Sequence, residues 1–206
     1  MNTAKQNDAL IRVPHAGAEV LLPPATIISN WLATLPGHAN DAPAGIPPIG
    51  SEWPEQGGIY AGLMRGSDGH PDYHLIVATG PDAEIEEIKW GEAGEQVPGA
   101  DSEWDGLANT NALCASENDP AAAVWAAGTL RNGFRDWYLA ARREYALCYA
   151  TVPELFQKSG YYWSSTQYSA YGAWTQDFAN GFQDGGHKHY AFRARAVRRF
   201  ISTSTL

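Results

Sequence analysis

The segment from Tyr161 to Phe192 limits the fold more than any other part of the chain. It holds ten aromatic residues of the 8 Trp, 10 Tyr and 6 Phe in the whole protein, and it has only three charged residues. No helical periodicity runs through it, and short alternating stretches are interrupted at Gly172, at Asn180-Gly181 and at Gly185-Gly186. These breaks predict short strands joined by tight turns, with no helix after about residue 158.

Composition limits the possible partners. The 206 residues suffice for one domain of ordinary size plus an extension, and 44% hydrophobic with 18% charged residues excludes a coiled coil or a disordered chain. The net charge of −9 offers no basic field for phosphate, so neither nucleic acid nor insertion into a membrane is expected. No signal peptide or membrane-spanning stretch is visible, and the chain as given is expected to be soluble, with its localisation left open.

The chain is predicted to have two parts. Residues 1–50 form an N-terminal extension, which has a strand-like stretch from Ala18 to Leu22, a short amphipathic helix from Ile27 to Leu35 and a Pro/Gly-rich connector from Pro36 to Gly50. Residues 51–206 form the main domain. The change of pattern at the connector sets the boundary between the two parts.

Within residues 51–206 the pattern predicts two helices and several short strands, which is an α+β class. A β-hairpin over residues 58–79 turns near Asp68-Gly69, and an acidic, Gly-rich loop then runs to about residue 117. Asp119-Pro120 begins one helix, which ends near Gly133. The second helix covers about residues 141–151 and ends before Pro153, and its core side is predicted to carry Tyr145, Leu147, Cys148 and Val152.

The usual catalytic motifs are absent from the sequence. It contains none of the short signatures of NTPases, dinucleotide enzymes, zincins, nucleophile-elbow hydrolases or zinc ribbons. No enzymatic activity, cofactor or metal is therefore expected. Cys114 and Cys148 are predicted to be two buried thiols rather than a disulfide.

Four stretches resemble the signature of a known family. They are Trp163-Ser164-Ser165-Thr166, then Ala173-Trp174 with Phe178, then RARAVR from Arg193 to Arg198, and upstream DWYLAARRE from Asp136 to Glu144. The family comprises bacterial and phage proteins with a C-type-lectin fold that are distantly related to formylglycine-generating enzymes. Within it the chain looks most like the variable proteins of diversity-generating retroelements. The resemblance covers about residues 57–200 and implies two helices, short twisted antiparallel strands and an irregular C-terminal ligand face.

That resemblance also implies which residues contact a ligand. In such systems a reverse transcriptase mutates adenines, and variable positions usually descend from A-A-pyrimidine codons. These codons can become Asn, Tyr, Ser, Asp, His, Gly, Ala, Thr and Phe, but never Trp, Gln, Glu, Met or Lys. The implied variable region is 162–200. The residues in it that such codons reach, and that are implied to bind the ligand, are Tyr168, Ala170, Tyr171, Gly172, Thr175, Asp177, Ala179, Asn180, Phe182, Asp184, Gly185, His187, His189, Tyr190 and Phe192. The implied scaffold residues are Trp163, Trp174, Phe178 and Arg195, and Gln167, Gln176, Gln183 and Lys188 also fall in the constant class.

The implied function is recognition of a protein or glycan ligand on a cell surface. The composition of the segment agrees with this, because large rigid aromatic side chains separated by small residues are typical of antibody binding sites. Tyr168, Tyr171, Phe182 and Tyr190 are the expected anchors, and Asp177, Asn180, Asp184, His187 and His189 are the expected polar contacts. A carrier on a virion or cell surface and a homo-oligomer fit the same interpretation.

Several alternatives stay open from the sequence. A lectin-like module can bind carbohydrate without calcium by stacking sugars on Tyr or Trp, since the acidic residues here are too scattered for a calcium site. A formylglycine-generating-type oxidoreductase needs a reactive Cys114 or Cys148. His187 and His189 can share a metal on a strand, although exposed contact residues are the preferred interpretation. The C-terminal arginines are predicted to pair with carboxylates, and a purely structural module would have all its aromatic residues in the core.

Overall fold

A computed structural model describes residues 11–15, 18–22, 45–67, 69–128 and 130–202. The chain divides into two compact units, Met1–Gly45 and Ile46–Leu206, so the second unit begins a few residues before the expected boundary at residue 51. In the first unit, strands β1 (Ile11–His15) and β2 (Ala18–Leu22) pair in antiparallel fashion. Strand β2 confirms the strand predicted from Ala18 to Leu22. The helix expected from Ile27 to Leu35 and most of the connector lie outside the described residues.

The second unit is a mixed α+β domain, and its described part contains one nine-stranded sheet and three α-helices. The strands are β3 (Glu52–Trp53), β4 (Gly58–Met64), β5 (Tyr73–Ala78), β6 (Glu84–Lys89), β7 (Tyr138–Leu139), β8 (Tyr162–Gln167), β9 (Gly172–Gln176), β10 (Gln183–His187) and β11 (Ala191–Phe200). The helices are α1 (Gly106–Cys114), α2 (Ala121–Gly128) and α3 (Arg142–Thr151). The hairpin expected over residues 58–79 is confirmed as β4–β5, and α2 and α3 are the two expected helices, although α2 ends at Gly128 rather than near Gly133.

Helix α1 and strand β6 are where the sequence prediction was wrong, because an acidic loop was expected there. The helix begins after Asp105, whose carboxylate accepts the backbone N–H of Ala108 at 2.8 Å. Its buried side includes Asn109 and Thr110, whose side chains bond to Ser102 and Leu139. Since polar residues occupy buried positions, the apolar period that indicates a helix is weak in this stretch.

Strand β11 joins the two sides of the sheet because its two halves pair with different neighbours. Its first half pairs with β6 and β8, and its second half pairs with β5 and β7. The β8–β11 pairing, with Arg193 opposite Tyr162, is parallel, so the sheet is mixed and the expectation of antiparallel strands alone was wrong. Strand direction depends on which distant segments pair, and residue alternation along one strand does not encode it. This arrangement leaves the β9–β10 hairpin on one side of the sheet, with β10 at its edge.

Four of the tryptophans hold this framework together. Trp53, Trp90, Trp137 and Trp163 are all nearly inaccessible to solvent. The indole N–H of Trp90 donates to the Ser164 carbonyl at 2.8 Å, and that of Trp163 donates to the Ile88 carbonyl at 3.0 Å. These bonds connect β8 to the segment around β6, so burial of each ring leaves no polar group unpaired.

The largest core cluster lies between α3 and the sheet. Tyr145, Cys148 and Val152 are buried as expected, and Leu147 packs against them at the edge. Phe178 is fully buried in the same cluster. Within the described residues, no helix has the length and apolar character needed to cross a membrane.

Candidate binding surface

Most of the fifteen predicted ligand residues lie in two groups at opposite ends of the β9–β10 hairpin. Gly172 lies opposite His187 at one end, and Gln176 lies opposite Gln183 at the other. Four residue steps of an extended strand separate the ends by about 13 Å. The sequence placed these residues on one surface, whereas the structure makes them two neighbouring patches.

The patch at the His187 end consists of five ring-bearing residues, which we call the aromatic cluster: Tyr168, Tyr171, His187, His189 and Tyr190. The three tyrosines are 52–60% exposed, although rings of this size are usually mostly buried. The centroids of the two histidine rings lie 4.0 Å apart, and the rings of Tyr171 and Tyr190 lie 6.2 Å and 5.9 Å from that of His187. These contacts support the rings against one another on the surface.

A shallow cavity of about 200 Å³ opens within the aromatic cluster. Its lining consists of Tyr168, Ser169, Tyr171, Gly172, Gly185, Gly186 and His187. Gly172 is itself buried and contributes only backbone to this lining. The cavity therefore has aromatic walls and glycine backbone between them.

The second patch is the turn between β9 and β10, which carries Asp177, Ala179, Asn180 and Phe182. The Asp177 carboxylate accepts the backbone N–H of Ala179 at 2.7 Å and the side-chain amide of Asn180 at 2.9 Å, and the Asn180 oxygen accepts the Phe182 N–H at 2.8 Å. These bonds fix the turn, and Phe182 is left 57% exposed. Asp177 and Asn180 thus have a structural role whether or not they also meet a ligand.

Five other predicted ligand residues differ in their exposure. Thr175 is 3% exposed and its hydroxyl donates to the Asp184 carbonyl at 3.0 Å, so its side chain is engaged within the hairpin rather than presented at the surface. Phe192 is half-buried against Trp163, with ring centroids 4.7 Å apart, and supports the surface from below. Ala170 is half-buried, whereas Asp184 and Gly185 are exposed on β10.

The predicted scaffold residues are held by the surrounding structure. Trp163 and Phe178 are fully buried, and the Arg195 guanidinium donates to Glu84 at 2.8 Å and to the Ala78 carbonyl at 2.9 Å. Trp174 is half-buried, and the Arg142 guanidinium lies 3.7 Å above its ring. Its position beside Tyr168, with ring centroids 5.1 Å apart, joins the scaffold to the aromatic cluster.

Lys188, which the resemblance implies only as part of the constant class, is fully buried. Its ammonium group donates to the Glu95 carbonyl at 2.9 Å and to the Gln167 side-chain oxygen at 2.8 Å, and it lies 4.7 Å from the centroid of the Trp90 ring. Among the described residues, no carboxylate forms an ion pair with it. The side chain therefore fixes the turn that carries His187 and His189 to the loop around Glu95, through neutral partners.

This burial predicts a pH dependence of stability. Burial lowers the pKa of Lys188 to about 8, from 10.5. Because the folded protein loses this proton at lower pH than the unfolded chain does, the free energy of unfolding should gain on the order of 1–2 kcal/mol from this group as the pH rises from about 8 to about 10. Urea unfolding across that range should show the gain in the wild type and in the exposed-lysine control Lys89→Met, and not in Lys188→Met. The same pH dependence in Lys188→Met would contradict the assignment.

The C-terminal arginines pair with carboxylates as predicted. The pairs are Arg193 and Arg195 with Glu84, Arg198 with Asp136, and Arg199 with Asp105. They bind the second half of the domain to the first and leave no row of unpaired guanidinium groups on β11.

The two thiols and the two histidines were the other candidate chemical groups. Cys114 and Cys148 are free, and the prediction that both are buried was wrong for Cys114, which is exposed at the end of α1. Burial raises the pKa of the Cys148 thiol, and partial desolvation by neighbouring groups raises that of the Cys114 thiol although the residue is exposed, so both are poorer nucleophiles than an ordinary cysteine. His187 ends β10 and His189 lies in the following turn. In the described ranges, no three His, Cys, Asp or Glu side chains converge as metal ligands.

A scan against models of protein families finds none that matches this chain. A search of the curated proteins likewise finds no significant match. The assignment of a function therefore depends on the geometry described above.

Proposed function

We propose that this protein is a ligand-binding protein that recognises a partner through the aromatic cluster and the neighbouring Phe182. The observation that carries the proposal is the exposure of four large rings on a surface whose backbone is fixed by the scaffold below. Tyr168, Tyr171, Phe182 and Tyr190 are each more than half exposed. Exposed aromatic rings grouped on a rigid frame are typical of residues that contribute most to binding energy.

The scaffold supports a further part of the proposal, that the surface varies in sequence while the fold persists. Substitutions at exposed positions typically change stability by about half a kcal/mol or less. The buried residues beneath the surface need not vary. Trp163 is of a type that variable codons do not reach, and Phe178 is at a fully buried position. We accordingly propose that residues 57–200 are a C-type-lectin-type domain and that 162–200 is a variable region of a diversity-generating retroelement.

The DNA beside the gene tests this assignment. A near-copy of the sequence that encodes residues 162–200, differing almost only where the copy has adenine and accompanied by a reverse-transcriptase reading frame, supports it. A copy whose differences fall on all four bases, or the absence of any copy, refutes the assignment to this class. The ligand-binding proposal is tested separately, by screening the protein against arrays of cell-surface proteins and glycans.

Replacing Tyr168, Tyr171 and Phe182 together by Ala should separate binding from folding. Because all three rings are 57–60% exposed, the melting temperature should fall by only a few degrees. The affinity for a ligand found in the array screen should fall about a hundredfold or more, because interface aromatic residues often contribute about 2 kcal/mol or more each. Calorimetry of unfolding and surface plasmon resonance measure the two effects. A loss of folding, or an unchanged affinity, would show that these rings are not the binding surface.

A further inference from the structure

The cavity of the aromatic cluster is shaped for a small, flat group. Its lining includes Gly172, Gly185 and Gly186, so no side chain from these positions fills the space between Tyr168 and Tyr171. At Gly186 a Cβ would lie 2.8 Å from ring atoms of Phe192 and Trp163, so this position cannot take a larger residue without repacking. The result is a shallow opening of about 200 Å³ that Tyr168 and Tyr171 both line, which is suited to one side chain of a partner rather than to a length of peptide.

The charges around this cavity favour a cation. Asp184 is exposed on β10 next to Gly185. Glu92 and Glu95 are exposed on a loop that lies beside the cluster. The Gly94 N–H of this loop donates to the carbonyl of Ala170, the residue before Tyr171, at 3.0 Å. An approaching cation therefore meets exposed carboxylates and the electron-rich faces of tyrosine rings.

The shape of the cationic group matters as well as its charge. Among common cationic groups, a guanidinium combines a flat shape that stacks on aromatic rings with five N–H donors, whereas a quaternary ammonium offers no donor.

The same molecule already uses this type of contact elsewhere. The guanidinium of Arg142 lies 3.7 Å above the ring of Trp174, and that of Arg198 lies 4.0 Å above the ring of Phe134. Both arginines also donate hydrogen bonds to neighbouring side chains, Arg142 to Gln183 and Arg198 to Asp136. Stacking combined with N–H donation is thus a stable arrangement in this environment.

We propose that the cavity between Tyr168 and Tyr171 receives the guanidinium group of an arginine side chain on a protein partner. The inference rests on the proposed function and specifies the chemistry of its ligand. The two tyrosine rings provide the stacking surface, and Asp184 with the acidic loop provides the attraction at longer range.

Titration with methylguanidinium, followed by NMR, tests the cavity directly. N-methylurea has the same flat shape without the charge, and methylammonium has the charge without the flat shape. With ionic strength held constant, methylguanidinium should bind with a dissociation constant on the order of millimolar, as expected for so small a fragment. It should bind at least about fivefold more tightly than either comparison compound.

Variants locate the binding to the cavity. Tyr168→Leu and Tyr171→Leu should each weaken methylguanidinium binding about two- to fivefold, because each removes one aromatic face. Tyr171→Phe should keep the affinity, since the ring is retained. The matched control is Tyr161→Leu, which removes a partly exposed tyrosine ring that belongs neither to the aromatic cluster nor to the turn between β9 and β10, and it should have no effect.

Equal affinity for methylguanidinium and N-methylurea would overturn the inference, and so would binding that Tyr161→Leu weakens as much as Tyr171→Leu. Failure of the arginine inference can be distinguished from failure of the proposed function. If a ligand from the array screen depends on Tyr168 and Tyr171 but methylguanidinium does not bind, the binding surface stands and the arginine inference fails. If the ligands found are glycans without a cationic group, the inference also fails.

Discussion

Replacing Glu144 with Ala should destabilise the domain by about 3–5 kcal/mol, the typical cost of removing one partner from a buried charged network. The Glu144 carboxylate is fully buried and accepts three hydrogen bonds, from the hydroxyls of Tyr73 at 2.7 Å and Tyr138 at 2.6 Å and from the Ala141 N–H at 2.6 Å. Gly106 permits this arrangement, because a Cβ there would collide with the carboxylate. The single side chain thus joins α1, α3, β5 and β7.

The same group predicts a pH dependence of opposite sign to that of Lys188. Burial raises the pKa of Glu144 to about 7, although its three hydrogen bonds and Arg199 oppose the rise. The folded state then holds the proton more tightly than the unfolded chain, whose carboxyl has a pKa of 4.5. The contribution of this group to stability is therefore full below pH 4.5 and is lost as the pH rises through 7. The difference across that range is roughly 3 kcal/mol.

Chemical denaturation of the wild type, Glu144→Ala and Glu144→Gln measures both effects. Glu144→Ala should unfold at much lower denaturant concentration at every pH. Glu144→Gln cannot titrate at this position. The free energy of unfolding of the wild type should therefore fall relative to that of Glu144→Gln as the pH rises from 4.5 to about 7. The control is Glu154→Ala, an exposed glutamate in the turn after α3, which should change stability by about half a kcal/mol or less. A similar small change for Glu144→Ala would contradict the role of the buried network.

The sequence predicted the parts of the fold that local patterns determine. The hairpin β4–β5 was visible because alternation and a turn motif mark it, and α3 was visible because its apolar period ends at Pro153. Helix α1 was missed because Asn109 and Thr110 occupy its buried side and bond to distant residues. The parallel pairing of β8 with β11 was missed because it depends on contacts between distant segments.

The candidate surface was predictable in composition and not in arrangement. The aromatic residues of the tail and their polar neighbours were visible in the sequence, but the distribution of these residues over two ends of a hairpin follows from the register of β9 and β10. Burial also distinguishes residues that were predicted alike as ligand contacts. The Thr175 hydroxyl bonds within the hairpin, while Ala179, only four positions later, is exposed. Lys188 shows the limit most clearly, because its residue type alone indicates no partners, whereas neutral oxygens and the Trp90 ring enclose its ammonium group.

The division of the aromatic residues into core and surface gives the second large effect. Phe178→Ala should cost about 3–5 kcal/mol and lower the melting temperature by about 10 °C. Phe178 stacks on Phe156 with ring centroids 3.8 Å apart and meets Tyr145 and Tyr162 edge-on at 5.6 Å and 5.2 Å, so its removal leaves a cavity among rigid rings. The surface control Tyr171→Ala should lower stability by about half a kcal/mol or less. Comparable losses in calorimetry would mean that core and surface had been confused.

This difference also sharpens the test of the variable region. A buried Phe178 cannot vary without loss of the fold, whereas the exposed Phe182 can vary freely. Phenylalanine codons contain no adenine, so a template that already encodes Phe at position 178 is protected from adenine mutagenesis there. If residues 162–200 are diversified in this way, the neighbouring copy of the gene should carry a Phe codon at position 178 and an adenine-containing codon at position 182. A template with adenines at position 178 would expose the core to mutation and would contradict the proposal.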